Sequence, residues 1–136
     1  MSVDAQGALA ETVQDFDYWP DSGVHGSAFN KKNNILYAAD TLGNAIWTQP
    51  IDKKSGRLGR PIYITKGLKD DDGPRHVIPH PSGNALYAVM EGSNQMVWYG
   101  ISRHTQKPKL RGVYNLLPED LLGGGNHWAN EVVVSP

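Results

Sequence analysis

The chain has 136 residues, 39% of them hydrophobic, enough for one ordinary domain or a piece of a larger one, which excludes a disordered tail. Thirteen basic and fourteen acidic residues leave a formal net charge of -1, which excludes the basic footprint of a nucleic-acid binder or of a protein held on an anionic membrane. Cysteine is absent, so disulfides, thiolate metal sites and a cysteine nucleophile are excluded too.

Residues 1–22 read as an N-terminal segment with early acids and no apolar run of signal-peptide type. No window approaches the roughly eighteen apolar residues of a membrane span, so the expectation is a soluble cytoplasmic protein. Helix is expected at most for a turn or two, near 8–16 or 118–122. From residue 23 the chain breaks into short runs rich in aromatic and β-branched residues, with no competing helical period. The first unit offers strands at 24–29, 35–40, 45–51 and 61–65, divided by Lys31-Lys32-Asn33-Asn34, Leu42-Gly43-Asn44 and Ser55-Gly56-Arg57. The second offers 76–80, 84–90, 95–102 and 111–116, with Pro81-Ser82-Gly83 and Gly92-Ser93-Asn94 as tight turns.

The two units repeat each other. A shift of fifty positions superposes Asn34 on Asn84, Leu36-Tyr37-Ala38 on Leu86-Tyr87-Ala88, Asn44 on Asn94 and Ile51 on Ile101. Over roughly 28 compared positions, average composition gives only about two identities. Four antiparallel strands per unit of this period form one propeller blade, and a closed propeller needs about four to eight. The expected class is therefore all-β: a first blade at 23–72, a second blade with its connector at 73–127, and the first strand of a truncated third at 128–136. There Val134-Ser135-Pro136 takes the place of Pro79-His80-Pro81. Because each blade buries its faces only against neighbours, the chain reads as a fragment of a longer propeller.

The repeat frame also places polar residues. His25 and Arg75 share one position, just before the innermost strand of each blade, and Asn130 takes it in the third unit if His76 is matched to Glu131. Thr41 and Glu91 share a second, at the turn after the second strand, on the same end of the channel. Rim positions that differ while packing positions repeat suggest a site on a scaffold. Taken singly, His25 could be a structural histidine, Arg75 a brace for a neighbouring blade's carbonyls, and Glu91 a solvated turn carboxylate. His76 alternates with Arg75 toward blade packing, while His80 sits in a turn signature and His104 in an outer loop. Asp70-Asp71-Asp72-Gly73 lacks the spaced ligands of a calcium loop, Gly123-Gly124-Gly125 lacks the Lys-Ser/Thr of a phosphate cradle, and His127 with Glu131 pairs for a metal only at helical spacing. Trp47, Trp98 and Trp128 read as blade packing.

The runs Val24-His25-Gly26-Ser27-Ala28-Phe29, Leu36-Tyr37-Ala38-Ala39-Asp40 with Asn44 and Trp47-Thr48, Gly73-Pro74-Arg75-His76-Val77, and His80 through Glu91 resemble the fungal 3-carboxy-cis,cis-muconate lactonizing enzymes. These belong to a seven-bladed propeller family shared with bacterial 6-phosphogluconolactonases. The likeness runs over roughly residues 20–136. It implies that His25, Arg75 and Glu91 are the catalytic residues and that the substrate is a small tricarboxylate, which the repeat frame sets against Arg75, His76 and Asn130. The implied reaction needs no cofactor and no metal: a substrate carboxylate adds across its own diene to close a γ-lactone. The family is more than twice this length, and a further channel arginine expected from a later blade is absent, so the isolated chain is expected to be a weak or inactive catalyst. The competing expectations are a lactone hydrolase of the phosphogluconolactonase type and a non-catalytic interaction module, with a homo-oligomer that completes the ring as a further possibility.

Overall fold

The computed structural model describes residues 1–121 and 126–135. The Gly123-Gly124-Gly125 connector lies outside the described residues, as do Leu122 and Pro136. Eight strands form two four-stranded antiparallel sheets, each in the order of the chain. The first holds β1 (Val24–Phe29), β2 (Ile35–Asp40), β3 (Ala45–Pro50) and β4 (Tyr63–Lys66). The second holds β5 (Pro74–Pro79), β6 (Ala85–Met90), β7 (Gln95–Ile101) and β8 (Pro108–Asn115). Strand β8 begins three residues earlier than its composition suggests, because Pro108 opens the edge strand opposite Ile101, a position that needs no ladder donor. The only helical piece among the described residues is a 3₁₀ turn at Glu119–Leu121; near 8–16 the chain is extended or bridged instead.

Period-two alternation gives each sheet two faces, and the core lies between the sheets. Ile35, Tyr37, Ala39 and Ile46 of the first sheet meet Val77, Leu86, Ala88, Met90, Val97, Tyr99 and Ile101 of the second. Burying each large side chain contributes about 1.5–3 kcal/mol, so this seam dominates the attraction between blades. On the far face of the first sheet, the N-terminal segment packs over Trp47. Tyr18 and Trp19 stand edge-on to its ring at 5.0 and 4.4 Å, and the Tyr18 hydroxyl donates to Gln49 at 2.8 Å.

The repeat recurs at the level of single bonds. Asn44 and Asn94 both adopt a left-handed backbone, with φ of 49° and 52°, which asparagine tolerates better than most residues. Asn44 donates to the Lys69 carbonyl at 2.6 Å and accepts from the Gly73 amide at 3.1 Å. Asn94 donates to the His127 carbonyl at 2.8 Å and accepts from the Ala129 amide at 2.7 Å. Each asparagine thus fastens the chain where it leads on to the next unit. Residues 128–135 form no strand in the described structure.

Burial pushes the phenols of Tyr37 and Tyr99 up to about 12, and for Tyr99 the charge of Asp72 adds to the effect. A raised folded value means that stability is full below the unfolded tyrosine value of about 10 and is lost as pH rises through the folded one. Tyrosinate absorbance should therefore show Tyr37 and Tyr99 silent until the chain unfolds near pH 12, with stability falling from about pH 10. A titration in which all six ionise near pH 10 while the chain stays folded would contradict this packing.

Candidate active site

His25 and Arg75 each sit on a β-bulge. In the first sheet Val24 faces Asp40 and Gly26 faces Ala39, leaving His25 as the extra residue. In the second, Pro74 faces Met90 and His76 faces Val89, leaving Arg75. A bulge bends the strand and re-aims the side chain it carries, a device found at the rims of closed sheets and beside active sites. Both inner strands therefore turn their first polar residue out of the alternating pattern at one end of the blades.

The strands β1 and β5 approach closely because position 26 is glycine. A Cβ there would stand 2.6 Å from the Arg75 carbonyl oxygen and 2.9 Å from both the Cα and the Nδ1 of His76. Gly26→Ala must push the inner strands apart, with an expected loss of about 1–3 kcal/mol measurable as a lower denaturation midpoint. A midpoint equal to wild type would show that the seam yields without cost.

Arg75 Nη1 pairs with the Glu91 carboxylate, each side chain about a quarter exposed at 25% and 24%. Glu91 follows β6, and its amide donates to the Gly73 carbonyl at 2.9 Å, which ties the turn to the residue pair before Arg75. Thr41, at the equivalent turn of the first blade, donates its hydroxyl across the seam to the Pro74 carbonyl at 2.9 Å. The bulge that carries Arg75 is thus held from both blades. The rings of His25 and His76 meet edge to face with centroids 4.9 Å apart, so the two imidazoles, Arg75 and Glu91 form one cluster. Beside it, a cleft of about 290 Å³ runs past Thr41, Leu42, Asp70, Asp71, Glu91 and Trp128.

The third-unit residues fall differently from the sequence frame. The asparagine bonds put Ala129 in the place of Gly73, so Glu131, one residue on from Asn130, takes the place of Arg75. Asn130 is exposed, whereas Glu131 Oε1 lies 3.1 Å from His76 Nδ1. An alignment without hydrogen bonds cannot see a one-residue offset in a nine-residue stub. His80 caps its own turn, with Nδ1 2.8 Å from Ser82 Oγ, and His104 is exposed in the β7–β8 loop. Asp72 turns inward to accept from the Leu68 and Lys69 amides at 2.6 and 2.9 Å. Among the described residues no helix is long and apolar enough to cross a membrane.

The family model "Lactonase, 7-bladed beta-propeller" matches residues 2–136. The chain is 36% identical over 107 residues to carboxy-cis,cis-muconate cyclase of Neurospora crassa, covering 79% of this chain and 29% of that protein. It is 28% identical over 116 residues to muconate cycloisomerase 1 of Cutaneotrichosporon cutaneum, covering 84% and 30%. With 6-phosphogluconolactonase of Buchnera aphidicola it shares 26% over 111 residues, 81% of this chain and 33% of the other. The chain thus spans about a third of the length of the curated relatives it matches. Among solved structures, the periplasmic gluconolactonase of Pseudomonas aeruginosa superposes with a TM-score of 0.74 at 20% identity, over 86% of this chain and 35% of that one, a likeness of fold. Two four-stranded blades, a fifty-residue repeat and a family match along nearly the whole chain lead to one conclusion: this chain belongs to the seven-bladed β-propeller lactonase family.

Proposed function

We propose that these blades form part of a lactonizing site that closes 3-carboxy-cis,cis-muconate to its γ-lactone, with Arg75, Glu91 and one imidazole of the His25–His76 pair as the catalytic residues. The observation that carries the reading is the convergence of Arg75, Glu91 and two imidazoles on one end of adjacent inner strands. In the reaction one substrate carboxylate oxygen bonds to a carbon of the conjugated diene. The displaced electron pair moves onto the carbon next to another carboxylate, giving an enolate-like dianion. The Arg75 guanidinium presents planar donors to such a carboxylate, so it stabilises the closing state more than the open substrate. Glu91 holds the guanidinium in place until the substrate carboxylate competes for it. A proton on the carbanionic carbon completes the lactone. It comes from the His25–His76 pair, and the family likeness points to His25. Similarity to the Neurospora crassa cyclase supports this substrate.

The second reading is a lactone hydrolase acting on a phosphorylated sugar lactone, favoured by the similarity to 6-phosphogluconolactonase, in which the same histidines would activate water. One pair of assays separates the two. Loss of the conjugated diene's ultraviolet absorbance on adding the chain, abolished in Arg75→Ala, supports ring closure. Acid release from 6-phosphogluconolactone with no diene loss overturns it. Should neither turn over, saturable shifts of the Arg75 side-chain signals by the tricarboxylate still support the reading, and their absence rejects it.

A further inference from the structure

The two imidazoles of the cluster are not equivalent. His25 is exposed, while the His76 side chain is 23% exposed and wedged between the Gly26 backbone and the His25 ring. His76 also has a carboxylate partner that the family likeness does not supply: Glu131 Oε1 at 3.1 Å from Nδ1, reached from the third-unit segment. Glu131 Oε1, which also accepts from the Val132 amide at 2.9 Å, sets negative charge against Nδ1, and that favours a proton on Nδ1 over a lone pair there and leaves Nε2 free to exchange a proton. A carboxylate behind one nitrogen and a reactive second nitrogen is the arrangement by which an imidazole is held in one tautomer for proton transfer.

Glu131 is itself held in register. Asn94 grips the His127 carbonyl and the Ala129 amide at 2.8 and 2.7 Å, so the segment enters the cluster at a set position. His127, paired with Glu131 in the sequence as a metal candidate, lends only its carbonyl to that clasp.

We propose that His76 is the acid–base residue of this site and that Glu131 is its positioning residue, with His25 packing beside the reacting imidazole. This rests on the lactonizing reading for the reaction, but the dyad itself does not depend on it. In ring closure, Nε2–H gives its proton to the carbanionic carbon as the new C–H bond forms. The electron pair of the broken N–H bond stays on Nε2, the ring keeps its proton on Nδ1, and water restores the one lost. The other charged or titratable groups of the cluster are His25 from β1, Arg75 from β5 and Glu91 after β6.

The test has two independent readouts on the 136-residue chain. Ring nitrogen correlations in NMR of the labelled protein should show His76 mainly in the Nδ1-protonated tautomer, reverting to the ordinary Nε2-protonated form in Glu131→Ala. An Nε2-protonated His76 in the wild type, or no change in Glu131→Ala, overturns the dyad. For activity, His76→Gln is expected to lower kcat on the carboxymuconate by about 100-fold with KM within about threefold, against a loss under about tenfold for His25→Gln. The reverse ranking overturns the assignment. A wild-type chain that neither binds nor turns over the tricarboxylate would sink the lactonizing reading, and the tautomer measurement would then decide the dyad alone.

Discussion

Replacing Arg75 with alanine is expected to lower kcat/KM for the carboxymuconate by about 10³-fold, mostly in kcat, with a fold that stays intact. On the lactonizing reading, the guanidinium is the cation offered to the charge that develops on ring closure; it is aimed by a bulge, by Glu91 and by the Thr41 bond to Pro74. Removing a donor that strengthens in the transition state costs more in kcat than in binding. Arg75→Lys restores the charge without the planar fork and is expected to recover only part of the loss. The diene assay checks both variants, with thermal unfolding as the control. Because the pair with Glu91 is partly solvated, unfolding midpoints should move little. An alanine variant within about tenfold of wild type would mean that another cation stabilises the closing ring.

The largest stability effect is expected at Asp40. Its carboxylate is fully buried and accepts from Ser22 Oγ at 2.5 Å, the Gly23 amide at 2.7 Å, the Gly43 amide at 2.8 Å and Trp47 Nε1 at 3.0 Å. One side chain thus ties the N-terminal segment, the β2–β3 turn and the aromatic cluster together. Asp40→Ala leaves those donors facing a void, at a cost of about 3–5 kcal/mol. Asp40→Asn keeps the shape but sets an amide against a ring of donors, at about 2 kcal/mol. Burial acts to raise the Asp40 pKa, but the bonds from Ser22, Gly43, Trp47 and Gly23 outweigh it and hold the carboxyl below its ordinary range. With the folded value depressed, the stabilisation is present above the unfolded value of about 3.9 and is lost as pH falls through the folded one. Urea unfolding should therefore show a wild-type advantage over Asp40→Asn that shrinks as pH drops below about 4. A gap that is constant with pH would mean that the carboxylate charge contributes nothing.

The blades were legible in the sequence because their signals are local. The short apolar run Leu86-Tyr87-Ala88-Val89-Met90 and the turn residues at Gly92-Ser93-Asn94 act within a few positions, and the fifty-residue repeat doubles each signal. Strands β1 and β2 match their sequence limits, and the others differ by a few residues at ends where pairing decides the boundary. The repeat frame also placed His25 with Arg75 and Thr41 with Glu91, and these groups do gather at one end of the inner strands. It could not tell that the Asp40 position, matched by Met90 in the next blade, holds a buried charge in one copy and a thioether in the other. That depends on Ser22 and Trp47 arriving from either side.

By itself, then, the sequence determined the strand order, the tight turns, the repeat and the class of fold, since each follows from side-chain period and backbone preference over short distances. Only the tertiary structure decided that His25 and Arg75 ride on bulges, that Gly26 lets β1 meet β5, that Tyr18 and Trp19 cover Trp47, and that Glu131 instead of Asn130 reaches His76. Those features turn on one-residue register shifts and on contacts between segments far apart in the chain, where a single slip exchanges the side chain that points into the site for its neighbour.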